Sequence, residues 1–206
     1  MGRTASSRRW LAEHARDPYV LKAQQQGWRS RAVFKLIEIQ ERDHILKPGQ
    51  TVIDLGAAPG GWSQFAADVV GERGRVVALD RLAMDPLPGV TVVQADFREV
   101  DGLAKLRAAI ADQRAHVVLS DLAPNISGNA AIDQPRSMHL AELALELCDS
   151  CLRWDGMLLV KVFQGEGSEA YIRELRRRFK QVTVRKPRAS RPRSREVYAL
   201  ARNLIA

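Results

Sequence analysis

The chain has 206 residues, 46% hydrophobic and 27% charged. This composition excludes a disordered or fibrous chain and suits one domain with a substantial core. Its net charge of +8 favours a polyanionic partner. No apolar stretch approaches the length that spans a bilayer.

The positive charge is concentrated at the two ends. Arg3 to Arg31 contains seven Lys/Arg against Glu13 and Asp17. Arg173 to Arg195 contains eleven against Glu174 alone. Arginine forks onto phosphate, so both ends are read as nucleic-acid contacts, with Arg8, Arg9, Arg29 and Arg31 in the first and "RELRRRFK" and "VRKPRASRPRSR" in the second. Few aromatics interleave them, so base-specific readout is not expected.

Residues 1–30 are expected to form a basic arm and helix, and 31–206 a single domain. "SRAVFKLIEIQERDHI" has a helical pattern. "TVIDL" (51–55), "RVVAL" (75–79), "VTVVQ" (90–94), "HVVLS" (116–120) and "MLLVKVF" (157–163) read as short buried strands. "GWSQFAADVV", "LAKLRAAIAD" and "PRSMHLAELALELCDSCLRW" intervene with apolar residues at helical spacing. Such alternation predicts a Rossmann-like α/β fold: a mostly parallel, seven-stranded sheet with helices on both faces. "QVTVRK" and "EVYALAR" follow with no helix between them, so they close the sheet as an antiparallel hairpin. Cys148 and Cys151 lie in a helical pattern and read as core thiols of a reducing compartment. The scattered histidines give no metal-ligand spacing, and no metal site is assigned.

"VIDLGAAPGGW" (52–62) is a strand, a glycine-rich turn and a helix start. Gly56, Gly60 and Gly61 allow a sharp turn and close backbone approach. The spacing is not that of a dinucleotide loop, and Pro59 removes an N–H that a pyrophosphate would use. Asp54 repels a pyrophosphate but favours a cation. Asp80 ends the second strand, where an acid reaches ribose hydroxyls. Asp96 and Phe97 follow the third and suit an adenine edge and face. Together these describe a site for a positively charged adenosyl group, S-adenosylmethionine. Each acid alone is more simply a turn residue; the set is stronger than its members.

Lys161 sits in the apolar run of the fifth strand, where an unpaired lysine is rarely buried. Asp121 follows the fourth strand at the same rim, where open α/β sheets place their ligands. The two are expected to meet. "DLAPN" lacks the aromatic that stacks a flipped base, and both cysteines lie far from the strand ends. Amino methylation of adenine and carbon methylation of pyrimidine therefore fit poorly, and hydroxyl methylation remains.

"RSRAVFKLIEIQ", "VIDLGAAPGGWSQ", "SDLAPNISG", "VKVFQGEG" and "SREVYALA" resemble the FtsJ-type ribosomal RNA 2'-O-methyltransferases over nearly the whole chain. The resemblance implies a Lys-Asp-Lys-Glu tetrad at Lys35, Asp121, Lys161 and Glu196, and cofactor contacts at Gly60, Trp62, Asp80, Asp96 and Asp121. It also implies a uridine of 23S ribosomal RNA, in the large subunit, as substrate, for a cytoplasmic enzyme expected to be a monomer. A ribose hydroxyl is a poor nucleophile until its proton leaves, so Lys161 is read as the general base. A lysine kept charged to stabilise developing alkoxide is the alternative role. Two rivals stand beside this reading: a nucleotide-binding oxidoreductase, and an RNA-associated assembly factor without catalysis.

Overall fold

In the computed structural model, residues 17–205 are described, apart from 112 and 192. Helix α1 (Pro18–Gln25) is capped by the Asp17 carboxylate, which accepts from Tyr19 N, with proline in its first turn. Helix α2 (Val33–Asp43) follows. The remaining elements alternate: β1 (Thr51–Leu55), α3 (Gly61–Val70), β2 (Arg75–Asp80), β3 (Val90–Gln94), α4 (Val100–Ala109), β4 (Ala115–Ser120), α5 (Ala130–Cys151), β5 (Leu152–Phe163), α6 (Ser168–Arg178), β6 (Phe179–Arg185) and β7 (Glu196–Leu204).

The described strands form one seven-stranded sheet in the order β3-β2-β1-β4-β5-β7-β6. The pairings of β1 with β2 and β4, of β2 with β3 and of β4 with β5 are parallel. β7 runs antiparallel to both β5 and β6. The expected hairpin is therefore threaded into the sheet: its second strand inserts beside β5 and pushes its first to the edge.

Side-chain alternation divides the core. One face carries Ile53, Leu55, Val118, Leu158, Val160 and Ala199 against α4, α5 and α6. The other carries Val52, Leu119, Leu159, Tyr198 and Leu200 against α2 and α3. Lys161 is two residues beyond Leu159 and pairs with Tyr198, so it lies on the α2–α3 face. α1 adds Ala23 to a smaller cluster with Val33, Phe34 and Ala189.

Three local readings need correction. α6 replaces a stretch read only as basic; three arginines fill its last turn, and Tyr171 and Leu175 are its buried residues. α5 starts at Ala130, where the Asn129 side chain caps Ala131 N, and it runs through Pro135. "LRW" (152–154) belongs to β5, with a register shift opposite Ala115–Val117. Cys148 and Cys151 are free thiols in the core. No helix among the described residues is long and apolar enough to cross a membrane.

Candidate active site

A cavity of about 500 Å³ opens at the carboxyl ends of β1, β2, β3 and β4. Gly56, Ala58, Asp80, Asp96, Phe97 and Asp121 are among its lining residues. This is the volume range of a small-molecule site, at the rim where a doubly wound sheet holds its ligand.

The glycine loop is packed too closely against its neighbours to carry side chains at two positions. Gly56 has φ +74°, and a Cβ there would stand 2.7 Å from Leu122 Cδ2. Gly60 has φ +109°, and a Cβ would approach Leu87 Cδ1 to 2.8 Å. Both turns are conformations that glycine adopts without strain.

The acids are held in different ways. The two oxygens of Asp80 accept from Ala58 N (3.0 Å) and Leu82 N (2.9 Å), which fixes the carboxylate between two loops. Asp96 accepts from Arg98 Nε with both oxygens, at 2.8 and 3.0 Å. Arg98 holds the Asp96 carboxyl below its ordinary range and also lines the cavity. Asp54 lies beneath the loop and is fully buried; Oδ2 accepts from Ser63 Oγ (2.6 Å), whereas Oδ1 has no hydrogen-bond partner. Burial pushes its carboxyl up to about 7, with Asp121 and Asp80 adding to the rise against the Ser63 bond.

Gly60, Pro59, Trp62 and Asp54 are not among the lining residues. The Trp62 indole is buried in the core: Nε1 donates to Ala32 O (2.8 Å) and the ring lies 5.6 Å from that of Tyr198. Its side chain therefore serves helix packing and supports the neighbouring polar cluster.

That cluster joins the four expected tetrad residues. Lys161 Nζ donates to Asp121 O (2.7 Å) and Oδ1 (2.9 Å). Tyr198 OH donates to Asp121 Oδ1 (2.6 Å) and accepts from Lys35 Nζ (3.2 Å). Lys35 Nζ also pairs with Glu196 Oε1 at 2.7 Å. Lys35, Lys161 and Glu196 are each no more than 8% exposed. Burial alone would raise the Asp121 carboxyl, but Lys161, Lys35 and the Tyr198 bond outweigh it and hold it below the ordinary range. Glu196 behaves likewise, with Lys35 as its strongest charge partner. Burial and the neighbouring Asp121 push the Tyr198 phenol well upward, so it stays protonated and able to donate.

Tyr198 is the residue that sequence reasoning passed over, although it stands in "SREVY". The available signal was spacing: two residues beyond Glu196 on one strand, it must share Glu196's face.

Arg29 and Arg31 correct the expected phosphate contacts. Arg29 donates to the carbonyls of Pro59, Asp85 and Pro86. Arg31 pairs with Asp17 and donates to Ala189 O. Both guanidinium groups are committed to the protein itself. Arg173, Arg176, Lys180, Arg188, Arg191 and Arg195 are exposed. Arg8 and Arg9 lie outside the described residues.

Residues 28–204 match the model of the FtsJ-like methyltransferase family. The chain is 58% identical over 198 residues to ribosomal RNA large subunit methyltransferase E of Alcanivorax borkumensis, covering 96% of this chain and 95% of that one. Identity to the protein of the same name in Xanthomonas campestris pv. campestris is also 58%, with 96% and 94% covered. Among solved structures, a chain described as a ribosomal RNA methyltransferase of Plasmodium falciparum superposes with a TM-score of 0.77 at 26% identity, over 87% of this chain and all of that one. A chain of Clostridium thermocellum, 18% identical with a TM-score of 0.56 over 82% of this chain and 97% of that one, shares the fold. With the family model matched across almost the entire domain and the cavity at the expected rim of the sheet, the chain belongs to the FtsJ-like methyltransferases.

Proposed function

We propose that this enzyme methylates the 2'-hydroxyl of a ribose, that of a uridine in 23S ribosomal RNA of the large subunit, and that it acts in the cytoplasm as a monomer. The observation that carries the reading is the Lys161 amine, held by two acceptors of Asp121, a residue that itself lines the cavity. The names of the relatives in Alcanivorax and Xanthomonas supply the RNA class.

S-adenosylmethionine is the methyl donor of this family and, when bound, supplies an electrophilic methyl carbon on a sulfonium sulfur. The cavity residues fit it. Asp80 presents a fixed carboxylate for ribose hydroxyls, Phe97 an apolar face for adenine, and Asp96 an acceptor for its edge. Asp121, held below its ordinary range, places negative charge at the site that suits a cation, and Asp54 beneath the loop adds to it where it ionises, around pH 7.

Lys161 handles the proton. Two tetrahedral positions of its nitrogen are occupied by N–H bonds to Asp121. A further position is left for the substrate oxygen; the ammonium that pairs with Asp121 first gives its third proton to solvent, and the lone pair then stands there. Lys161 thus removes the 2'-hydroxyl proton as the oxygen attacks, and Asp121 orients it. Lys35 and Glu196 hold the ribose and brace the cluster. The exposed arginines of α6 and of the β6–β7 loop contact phosphates.

Methyl transfer from labelled cofactor to large ribosomal subunits tests this. Lys161→Ala should slow single turnover by about 10² to 10⁴. Lys161→Arg keeps a charge but cannot act as a base; its retention of most activity would move Lys161 to the charged role. Indifference to both changes would overturn the assignment.

A further inference from the structure

The expected phosphate ligand Arg29 has a different task, and its geometry is specific. Nη1 donates to Pro59 O (3.3 Å) and Asp85 O (2.7 Å), and Nη2 to Pro86 O (2.7 Å). One side chain thus ties the glycine loop after β1 to the loop after β2. Its own backbone is anchored on α3, because Arg29 N donates to Gln64 Oε1 (3.2 Å) while Gln64 Nε2 donates to Gly27 O (3.0 Å). The Trp28 ring meets Phe65 edge-on at 6.0 Å. A Cβ on Gly61 would stand 2.4 Å from Ser30 Oγ, and one on Gly60 would stand 3.2 Å from Arg29 Cδ. The segment 27–30 is seated closely on the loop and helix that follow β1.

The same two loops are joined a second time on the cavity side, by Asp80. Its carboxylate accepts from Ala58 N and Leu82 N. Ala58 is the residue before Pro59, and Leu82 lies three before Asp85. Arg29 therefore repeats on the outer surface the link that Asp80 makes on the inner one. Ala58, Asp80, Arg81 and Leu82 line the cavity, whereas Pro59, Asp85 and Pro86 do not.

We infer that Arg29 is a positioning residue for the adenosine end of the cofactor: it clasps the two loops from behind and so holds the Asp80 carboxylate where ribose hydroxyls meet it. The inference rests on the reading of the cavity as the S-adenosylmethionine site. It needs no contact between Arg29 and either substrate. A charged donor on three carbonyls is a stronger tie than neutral bonds, and the fork geometry is what a lysine lacks. Losing the tie frees the 81–87 loop, and cofactor binding must then order it. The methyl group and sulfonium play no part in this, so the demethylated product, S-adenosylhomocysteine, feels the same loss.

Titration calorimetry of the full chain with each compound, for wild type, Arg29→Ala and Arg29→Lys, tests this. Arg29→Ala should weaken both by about tenfold and by the same factor, one decade for each 1.4 kcal/mol. Arg29→Lys, with the charge but not the fork, should fall between. In steady state with large ribosomal subunits, KM for the methyl donor should rise, with kcat and KM for the subunit unchanged. Hydrogen exchange in residues 81–89 should accelerate in Arg29→Ala, which reads the clasp even if global stability falls. Affinities within twofold of wild type would overturn the inference, as would a rise confined to KM for the subunit, the mark of a phosphate contact. A wild type that bound neither compound would sink the cofactor reading itself, whereas normal wild-type binding beside an unaltered Arg29→Ala sinks only this assignment.

Discussion

The Lys35–Glu196 pair is buried, with side-chain exposures of 8% and 11%, and its atoms stand 2.7 Å apart. Replacing Lys35 by Met removes the cation and leaves the carboxylate in a low-dielectric pocket. Breaking a buried pair in this way costs about 3–5 kcal/mol. For a chain of this size that is a fall in Tm of about 6 to 20 °C. The pH dependence supplies a sharper check. In wild type the Glu196 carboxyl lies below its ordinary value, because Lys35 and hydrogen bonds outweigh burial. Its contribution is present above the ordinary glutamate range and is lost as pH falls through the depressed folded value. Without Lys35 burial has less opposition and the carboxyl rises, so the variant gains from protonation as pH falls. The stability gap between the two proteins should therefore be widest near pH 7 and shrink toward pH 4. Combining Lys35→Met with Glu196→Met removes the stranded charge and should recover most of the loss, to within about 2 kcal/mol of wild type. Methyl transfer should stay impaired in the double variant, because both groups assigned to the ribose are gone. Denaturant unfolding across pH measures all three proteins. Additive losses in the double variant, or a gap independent of pH, would refute the claim that pairing keeps these charges buried.

Tyr198→Phe removes a fully buried hydroxyl bonded to Asp121 and Lys35. Thermal unfolding should show a loss of about 1.5–3 kcal/mol, and kcat should fall because Asp121 loses one of the bonds that aim it. Gly56→Ala combines a positive φ with a Cβ 2.7 Å from Leu122; calorimetry should show weakened binding of S-adenosylmethionine in a protein destabilised by about 1–3 kcal/mol. Asp54 has its carboxyl raised to about 7. Its stabilising protonation is fully present below the ordinary aspartate value and is lost as pH rises through 7. A cation in the cavity favours the ionised form, so cofactor binding near pH 6.5 should release a proton. Calorimetry in buffers of different ionisation enthalpy detects this, and Asp54→Asn should abolish it.

Much of the sheet was legible because buried parallel strands leave a plain signature. β1 occupies the residues expected, buried throughout and ended by Gly56; β3 also falls on 90–94, but as an edge strand whose residues are half-buried or exposed rather than buried. α6 was not legible because Tyr171 and Leu175 alone bury it, among charges that read as surface. The Lys161–Asp121 meeting followed from two strand ends sharing one rim. Tyr198 did not, because a tyrosine in a strand is ordinary and only the pairing register sets it opposite Lys161. Arg29 and Arg31 show a further limit: sequence reveals a positive charge but not the carbonyls that take it, here 30 to 158 residues away.

The register explains how so many charges can be buried together. Lys161, Asp121, Tyr198, Lys35 and Glu196 form a chain in which two cations face two anions and a neutral phenol links the halves. A cluster without net charge is far less costly to bury than an unpaired ion. The antiparallel entry of β7 between β5 and β6 makes this possible, because it sets Tyr198 against Lys161 and Glu196 against Phe163 on one face. A seventh strand appended at the sheet edge would leave Lys35 without Glu196 and Asp121 without its phenol. The order within the terminal hairpin, with β7 inside and β6 at the edge, is thus what closes the polar chain beside the cavity.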